Sequence, residues 1–257
     1  MPETPILDLN RRLGDADRLI DRALAHVPFE GMNGRSLAAA ARELGFAPAY
    51  AATLVPRGGA GLAMAYHRRI DQALAASLAA DPPQGRVRER VAEAVMRRLA
   101  LADPELVRAA AAVLALPANA ALGLRLTGET ADVIWEALGD ASDGFAWWTR
   151  RASLAAVFGA TVIYWLGDRS PGAAETRAFL DRRIGEVLRL GEAGARARRL
   201  PGWTPLARAA TGWVRAPRGT AGGERQTREG EAGARAARGR RAGGRAATEQ
   251  GSQGWGT

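Results

Sequence analysis

Fifteen consecutive residues, Ala152 to Leu166, carry no charge. Drawn as a helix, they put Leu154, Val157, Phe158, Val162, Ile163, Tyr164, Trp165 and Leu166 on every side. A helix without a polar stripe has no face for water and belongs inside a bundle. Crossing a bilayer takes roughly 20 apolar residues, and the uncharged run between Arg151 and Asp168 is shorter. Such a helix is either plain core or, because Ala155, Ala156, Gly159 and Ala160 alternate with its aromatics, one wall of an apolar cavity. Elsewhere, up to about residue 200, apolar residues recur at helical spacing and nowhere alternate with period two. The expected fold class is all-α.

Composition removes several chemistries. Cysteine is absent, histidine is limited to His26 and His67, and all 36 basic residues are arginine. A chain without lysine forms neither a Walker A phosphate loop nor a Schiff base. The net charge of +9 sits in one place. From Arg196 onward thirteen arginines face four glutamates, so the preceding body is neutral. A DNA-binding domain ordinarily carries its own positive face. The start, MPETPILDLN, lacks the basic flank and apolar core of a signal peptide, so the expected location is the cytoplasm.

In chain order, Asp15 to His26 forms an amphipathic helix with Leu19, Ile20, Ala23, Leu24 and Val27 on one side, ended by Pro28 and Gly31. Ser36 caps a short helix that stops at Gly45. AYAATLV follows a tight turn and closes at Pro56. Arg57-Gly-Gly-Ala-Gly61 leads into a long helix carrying Leu62, Tyr66, Ile70, Leu74 and Leu78. This is a helix-turn-helix plan. Gln84 to Ala102 directs Val87, Val91, Val95 and Leu99 inward and Arg86, Arg90, Arg97 and Arg98 outward. Asp103-Pro104 starts another helix, and Pro117 ends or kinks it. Ala118 to Leu138 continues with Leu122, Leu126, Val133, Ile134 and Trp135.

The sequence thus divides into an N-terminal arm (1–14), a degenerate helix-turn-helix-like unit (15–60), a helical bundle (61–199), an amphipathic membrane-interface segment (200–218) and a Gly/Ala/Arg-rich tail (219–257). The tail has almost no large apolar residue to offset the entropy of ordering, and disorder is expected there. In the segment before it, Trp203, Leu206, Trp213 and Val214 share a helical stripe beside Arg208, Arg215 and Arg218, a pattern suited to a membrane surface.

No catalytic or metal-ligating constellation emerges. Glu89 and Glu93 lie one turn apart without a Glu-x-x-His partner and form a solvated face. His67 is expected to be a surface or hydrogen-bonded structural histidine, and Asp140 and Ser142 a helix stop followed by a new N-cap. The segment GDASDGFAWWTRR is different. Trp147 and Trp148 diverge by about 100° on one helix, so both cannot face one core. Trp and Arg together favour an interface, the alternative being a helix junction with one Trp lying across a neighbour.

HVPFEG (26–31), PRGG (56–59), LALPANAALGLRL (114–126), ADVIW (131–135), GDASDGFAWWTRRASLAAVFGATVIYWLGDRSP (139–171) and AFLDRRI (178–184) together resemble the coenzyme Q (ubiquinone) biosynthesis accessory family. The likeness runs in order from Arg18 to Leu190. It implies a TetR-like fold, with an N-terminal helix-turn-helix-like three-helix unit and a C-terminal helical bundle that binds isoprenoid lipid. It also implies no catalytic activity and no cofactor, a homodimer, and a supporting role to the di-iron demethoxy-ubiquinone hydroxylase at the inner (cytoplasmic) membrane.

On that basis the lipid site is expected at Leu122, Leu126, Ile134, Trp135, Phe158, Val162 and Trp165. The hydroxylase surface is expected at Phe145, Trp147, Trp148, Arg150 and Arg151, and the membrane contact at Trp203, Leu206, Trp213 and Val214. Where the family often has Asp-Phe-Asn-Trp-Tyr-Thr, this chain has Gly144-Phe145-Ala146-Trp147-Trp148-Thr149. The competing class is a TetR-type transcriptional regulator. Its reading helix would need side chains aimed at bases, and Ala49 to Val55 offers only Tyr50 and Thr53. DNA is therefore not expected as a partner.

Overall fold

The structure, a computed structural model, describes the backbone of residues 5–197 and the side chains of residues 8–189. Every regular element among them is helical, as the period-three and period-four spacing requires. α1 (Pro5–Glu30), α2 (Gly34–Glu43) and α3 (Pro48–Leu54) form the front unit. α1 begins ten residues before the expected Asp15 and so occupies most of the segment read as an arm. Pro28 forfeits one intrahelical bond in the last turn without ending the helix. The stop comes at Gly31, whose positive φ of 77° lets its N–H bond the Val27 carbonyl at 2.8 Å. The cap of α2 is Asn33, which accepts from Arg35 N–H at 2.7 Å, while Ser36 completes the reciprocal half of a capping box.

α4 (Gly59–Ala80) is the spine, and it joins two apolar cores. Leu62 and Ala63, in its first half, pack with Leu19, Ala23, Val27, Leu37 and Val55 of the front unit. Leu74 and Leu78, in its second half, pack with Val95, Leu99, Ile134, Phe158 and Leu180 of the bundle. The start of α4 explains the glycines of Arg57 to Gly61. A Cβ on Gly59 would stand 2.3 Å from the Met32 carbonyl oxygen, and one on Gly61 2.0 Å from that of Pro56. The glycines let backbone approach backbone.

The bundle adds α5 (Val87–Ala100), α6 (Pro104–Leu114), α7 (Ala120–Ala137), α8 (Gly144–Trp165) and α9 (Ala174–Ala197). Asp103 caps α6 as its position before Pro104 predicts, accepting from Glu105 N–H at 2.8 Å. A 3₁₀ turn at Pro117–Asn119 follows, and α6 and α7 meet at 97°. Arginines close three helix ends on carbonyl oxygens: Arg97 on Ser77 of α4, Arg90 on Leu138 after α7, and Arg108 on Leu166 after α8.

Three expectations change here. Val87, the first residue of α5, is exposed, whereas Arg98, expected outward, is buried. The aromatic GFAWWTRR segment forms the first two turns of α8. α8 also keeps a wet side, since Ala152, Ala156, Ala160 and Ile163 are exposed, Ile163 to 75%. Among the described residues no single helix is long and apolar enough to cross a membrane.

Asp168 ties α8 to α9. Its carboxylate accepts from Ser170 N–H at 2.7 Å and Thr176 N–H at 2.8 Å, and hydrogen bonds from Ser170 and Thr176 hold its pKa well below the usual carboxylate range. Stability from this group is present above the unfolded pKa of about 3.9 and is lost as pH falls below it. Asp168→Asn should therefore flatten the acid-side fall of Tm below about pH 4, read by thermal denaturation across pH. The glycines supply a contrasting pair. Gly61→Ala should cost about 1–3 kcal/mol through overpacking. Gly159→Ala, whose Cβ meets nothing nearer than Thr127 Cγ2 at 4.0 Å, should stabilise by about 0.5–1 kcal/mol. Denaturant midpoints decide both.

Candidate functional site

Two arrangements stand out, both built around α8. The first is a cavity of about 220 Å³ among α4, α5, α6, α7 and α8. Val107, Ala110, Ala111 and Leu114 come from α6, Leu126 from α7, and Phe158, Val162 and Ile163 from α8. Small side chains make the room: Gly123, Ala110, Ala111 and Gly159 stand where larger residues would close it. Ile163 both lines the cavity and is exposed, so the space reaches the surface there.

At the inner end lies a polar cluster. Arg98, only 3% exposed, donates from Nε to Asp71 Oδ1 at 3.0 Å. Thr130 Oγ1 lies 3.1 and 3.0 Å from the two Asp71 oxygens, and His67 Nε2 lies 2.8 Å from Thr130 Oγ1. Burial pushes the Arg98 pKa below the ordinary arginine value, and Asp71 opposes that shift. The Phe158 ring packs against both basic groups, 5.4 Å from the Arg98 guanidinium and 6.5 Å from the His67 ring.

The second arrangement is an aromatic and arginine platform on the first two turns of α8. Arg151, buried, bonds Asp132 through Nε at 2.7 Å and Asp140 through Nη1 at 3.0 Å, with its guanidinium 4.0 Å from the centre of the Trp147 ring. Arg150 bonds the other Asp140 oxygen at 2.6 Å and covers Trp135, whose indole N–H donates to the Arg150 carbonyl at 3.2 Å. Trp147 and Trp148 meet edge to face at 4.7 Å. Burial alone would raise the pKa of Asp140, but hydrogen bonds from Ser142 and Arg151 reverse this and hold it below the usual value. Asp140 is thus the anchor of the platform, and Asp143 occupies the N-cap of α8.

Of the seven residues expected to form a lipid site, Leu126, Phe158 and Val162 line the 220 Å³ cavity. Ile134 is fully buried in the bundle core, against which Trp135 and Trp165 pack. Leu122 lines a separate cleft of about 660 Å³ with Met32, Arg57, Asn119 and Arg125. Of the five expected at a partner surface, Phe145, Trp148 and Arg150 are exposed, Trp147 is half-buried, and Arg151 is a strut beneath them. Trp203, Leu206, Trp213 and Val214 lie outside the described residues. Arg98, Asp71, Asp132 and Asp140 carry no functional signal in the sequence, where Arg98 reads as an outward charge, Asp140 as part of a helix stop, and Asp71 and Asp132 as ordinary helix-surface charges. Among the described residues no group of three or more His, Asp or Glu side chains is placed to hold a metal ion.

The front unit retains the helix-turn-helix plan, and the hydroxyls of Tyr50 and Thr53 are both bonded within it. Tyr50 donates its hydroxyl to Asp15 of α1 at 2.9 Å, and Thr53 donates to the Tyr50 carbonyl at 2.7 Å. The path of the chain as a whole matches a solved TetR transcriptional regulator from Nitrosomonas europaea, with a TM-score of 0.52 and 16% identity over 68% of this chain and 98% of that one. At that identity the likeness is one of fold, and it bears out the TetR-like architecture.

The sequence likeness concentrates on the bundle. The COQ9 family model matches residues 120–191, from the start of α7 into α9. Ubiquinone biosynthesis protein COQ9, mitochondrial, of Drosophila melanogaster is 32% identical over 180 residues, covering 67% of this chain and 55% of that protein. The human protein of that name is 29% identical over 184 residues, covering 68% and 58%. The chain belongs to the COQ9 family. It spans a little over half the length of these curated relatives. The COQ9 match contains the whole platform on α8 and the α7 and α8 walls of the cavity.

Asp140→Asn should unseat the platform, with the loss of a charge-assisted bond costing about 1.5–3 kcal/mol. Denaturation should record that cost, and the tryptophan emission should shift to the red as Trp147 loses Arg151 from its face.

Proposed function

We propose that this chain is a non-catalytic, lipid-binding accessory protein of ubiquinone biosynthesis. It takes an isoprenoid quinone precursor from the membrane and presents it to the di-iron demethoxy-ubiquinone hydroxylase. The observation that carries the reading is the apolar cavity between α6, α7 and α8, open beside Ile163. Each CH₂ removed from water contributes about 0.8 kcal/mol. Drug-sized ligands occupy about 300–1,000 Å³, more than this cavity holds, so one part of the guest is enclosed and the remainder lies along the exposed apolar side chains at the mouth. The names of the relatives support the pathway, and they describe mitochondrial proteins.

In this reading the hydroxylase docks on Phe145, Trp147, Trp148 and Arg150, with Arg151 and Asp140 positioning them. The protein acts at the inner (cytoplasmic) membrane, touching it through Trp203, Leu206, Trp213 and Val214. It works as a homodimer, for which the exposed apolar side of α8 offers a surface. The competing regulator reading is weakened by Tyr50 and Thr53, both committed to bonds within the front unit.

Purified protein should carry isoprenoid lipid enriched over the host extract by mass spectrometry, and Gly159→Leu, which fills the cavity, should abolish the enrichment. Trp148→Ala should weaken hydroxylase binding about tenfold or more, as a central aromatic at an interface does, with Tm unchanged. Protein free of lipid that bound the hydroxylase equally well after Trp148→Ala would refute the proposal, as would sequence-selective DNA binding.

A further inference from the structure

The larger cleft, of about 660 Å³, lies on the seam between the front unit and the bundle and shares no lining residue with the α8 cavity. Met32, between α1 and α2, and Arg57, just before α4, line it on the front side. Val113, Leu116, Leu122 and Arg125 line it on the bundle side. Its volume falls within the range of about 300–1,000 Å³ typical of sites for small organic molecules.

The lining is apolar at Met32, Val113, Leu116 and Leu122 and cationic at Arg57 and Arg125, and no carboxylate belongs to it. The two arginines differ. Arg125 donates from Nε to Glu129 at 2.8 Å, and Arg68 holds the same carboxylate through two bonds of 2.9 Å. Arg57 makes no hydrogen bond or ion pair among the described residues. It is also held at a φ of 73°, in the left-handed region where glycine is free of strain and a residue with a Cβ is not. A guanidinium is thus carried, uncommitted, at a position whose backbone favours glycine.

An apolar wall beside a free guanidinium suits an amphiphilic anion. The guanidinium fork matches a carboxylate in plane and spacing. One uncommitted cation balances one negative charge, whereas a phosphate monoester carries close to two at neutral pH. We propose that this cleft is a second ligand site, which takes a small organic anion bearing a single carboxylate on a short apolar body. The carboxylate pairs with Arg57, and the body lies against Met32, Val113, Leu116 and Leu122.

Calorimetry on the full chain tests this with three probes of equal chain: octanoate, octan-1-ol and octyl phosphate. Octanoate should bind about tenfold tighter than octanol or more, the effect of a charge-assisted hydrogen bond, and no more weakly than octyl phosphate. Arg57→Gly should bring octanoate down to the affinity of octanol while raising Tm, because glycine accepts the left-handed backbone. Gly159→Leu, which fills the α8 cavity, should leave octanoate binding unchanged. Octanoate that fails to bind, binds no better than octanol, or binds more weakly than octyl phosphate overturns the assignment. So does affinity retained in Arg57→Gly, or a lower Tm in that variant, which would make Arg57 a structural residue. Octanoate binding lost in Gly159→Leu puts the anion in the α8 cavity and overturns the second site.

Discussion

The bundle is assembled around one buried ion pair. Arg98 of α5 and Asp71 of α4 meet where α7 adds Thr130 and α8 adds Phe158, so four helices register on a single charged contact. Such a pair is not a source of net stability, because stripping water from both ions offsets most of their attraction. What it supplies is position. Each partner satisfied elsewhere would leave the other stranded in hydrocarbon, which penalises any slip of α5 along α4. The cavity exists beside it because Gly123, Gly159, Ala110 and Ala111 fall short of filling the space that this register defines.

The platform on α8 repeats the device at lower depth. Two arginines share Asp140, and each lays its guanidinium against a tryptophan. Planar guanidinium groups bond a carboxylate and cover an indole at once, which an ammonium does less well. A chain whose cations are all arginine is suited to such dual contacts. The result is a set of aromatic side chains held in fixed orientation before any partner arrives, which lowers the ordering cost of association.

The all-helical fold and the path of the two cores were legible in the sequence, since Leu62, Tyr66, Ile70, Leu74 and Leu78 recur at helical spacing and all are buried. The two-tryptophan segment was legible as well, because adjacent bulky residues cannot share one core. Arg98 was not: amphipathic spacing sorts residues by polarity, and a charge neutralised by a partner twenty-seven positions away in sequence leaves no local trace. Nor could spacing assign Leu122, Ile134, Trp135 and Trp165 their separate surroundings. Periodicity says which side of a helix is apolar, while the difference between filled core and open cavity depends on the size of residues from three other helices. Asp140 was hidden in the same way, its role set by arginines that fold back from the next helix.

Ala110 packs in the front core and also walls the cavity. One turn of α6 is thus shared between the front core and the wall of the cavity. The front unit therefore acts as a buttress: α1 packs against α6, and without it the turn carrying Ala110 would lose support on the side facing away from the cavity.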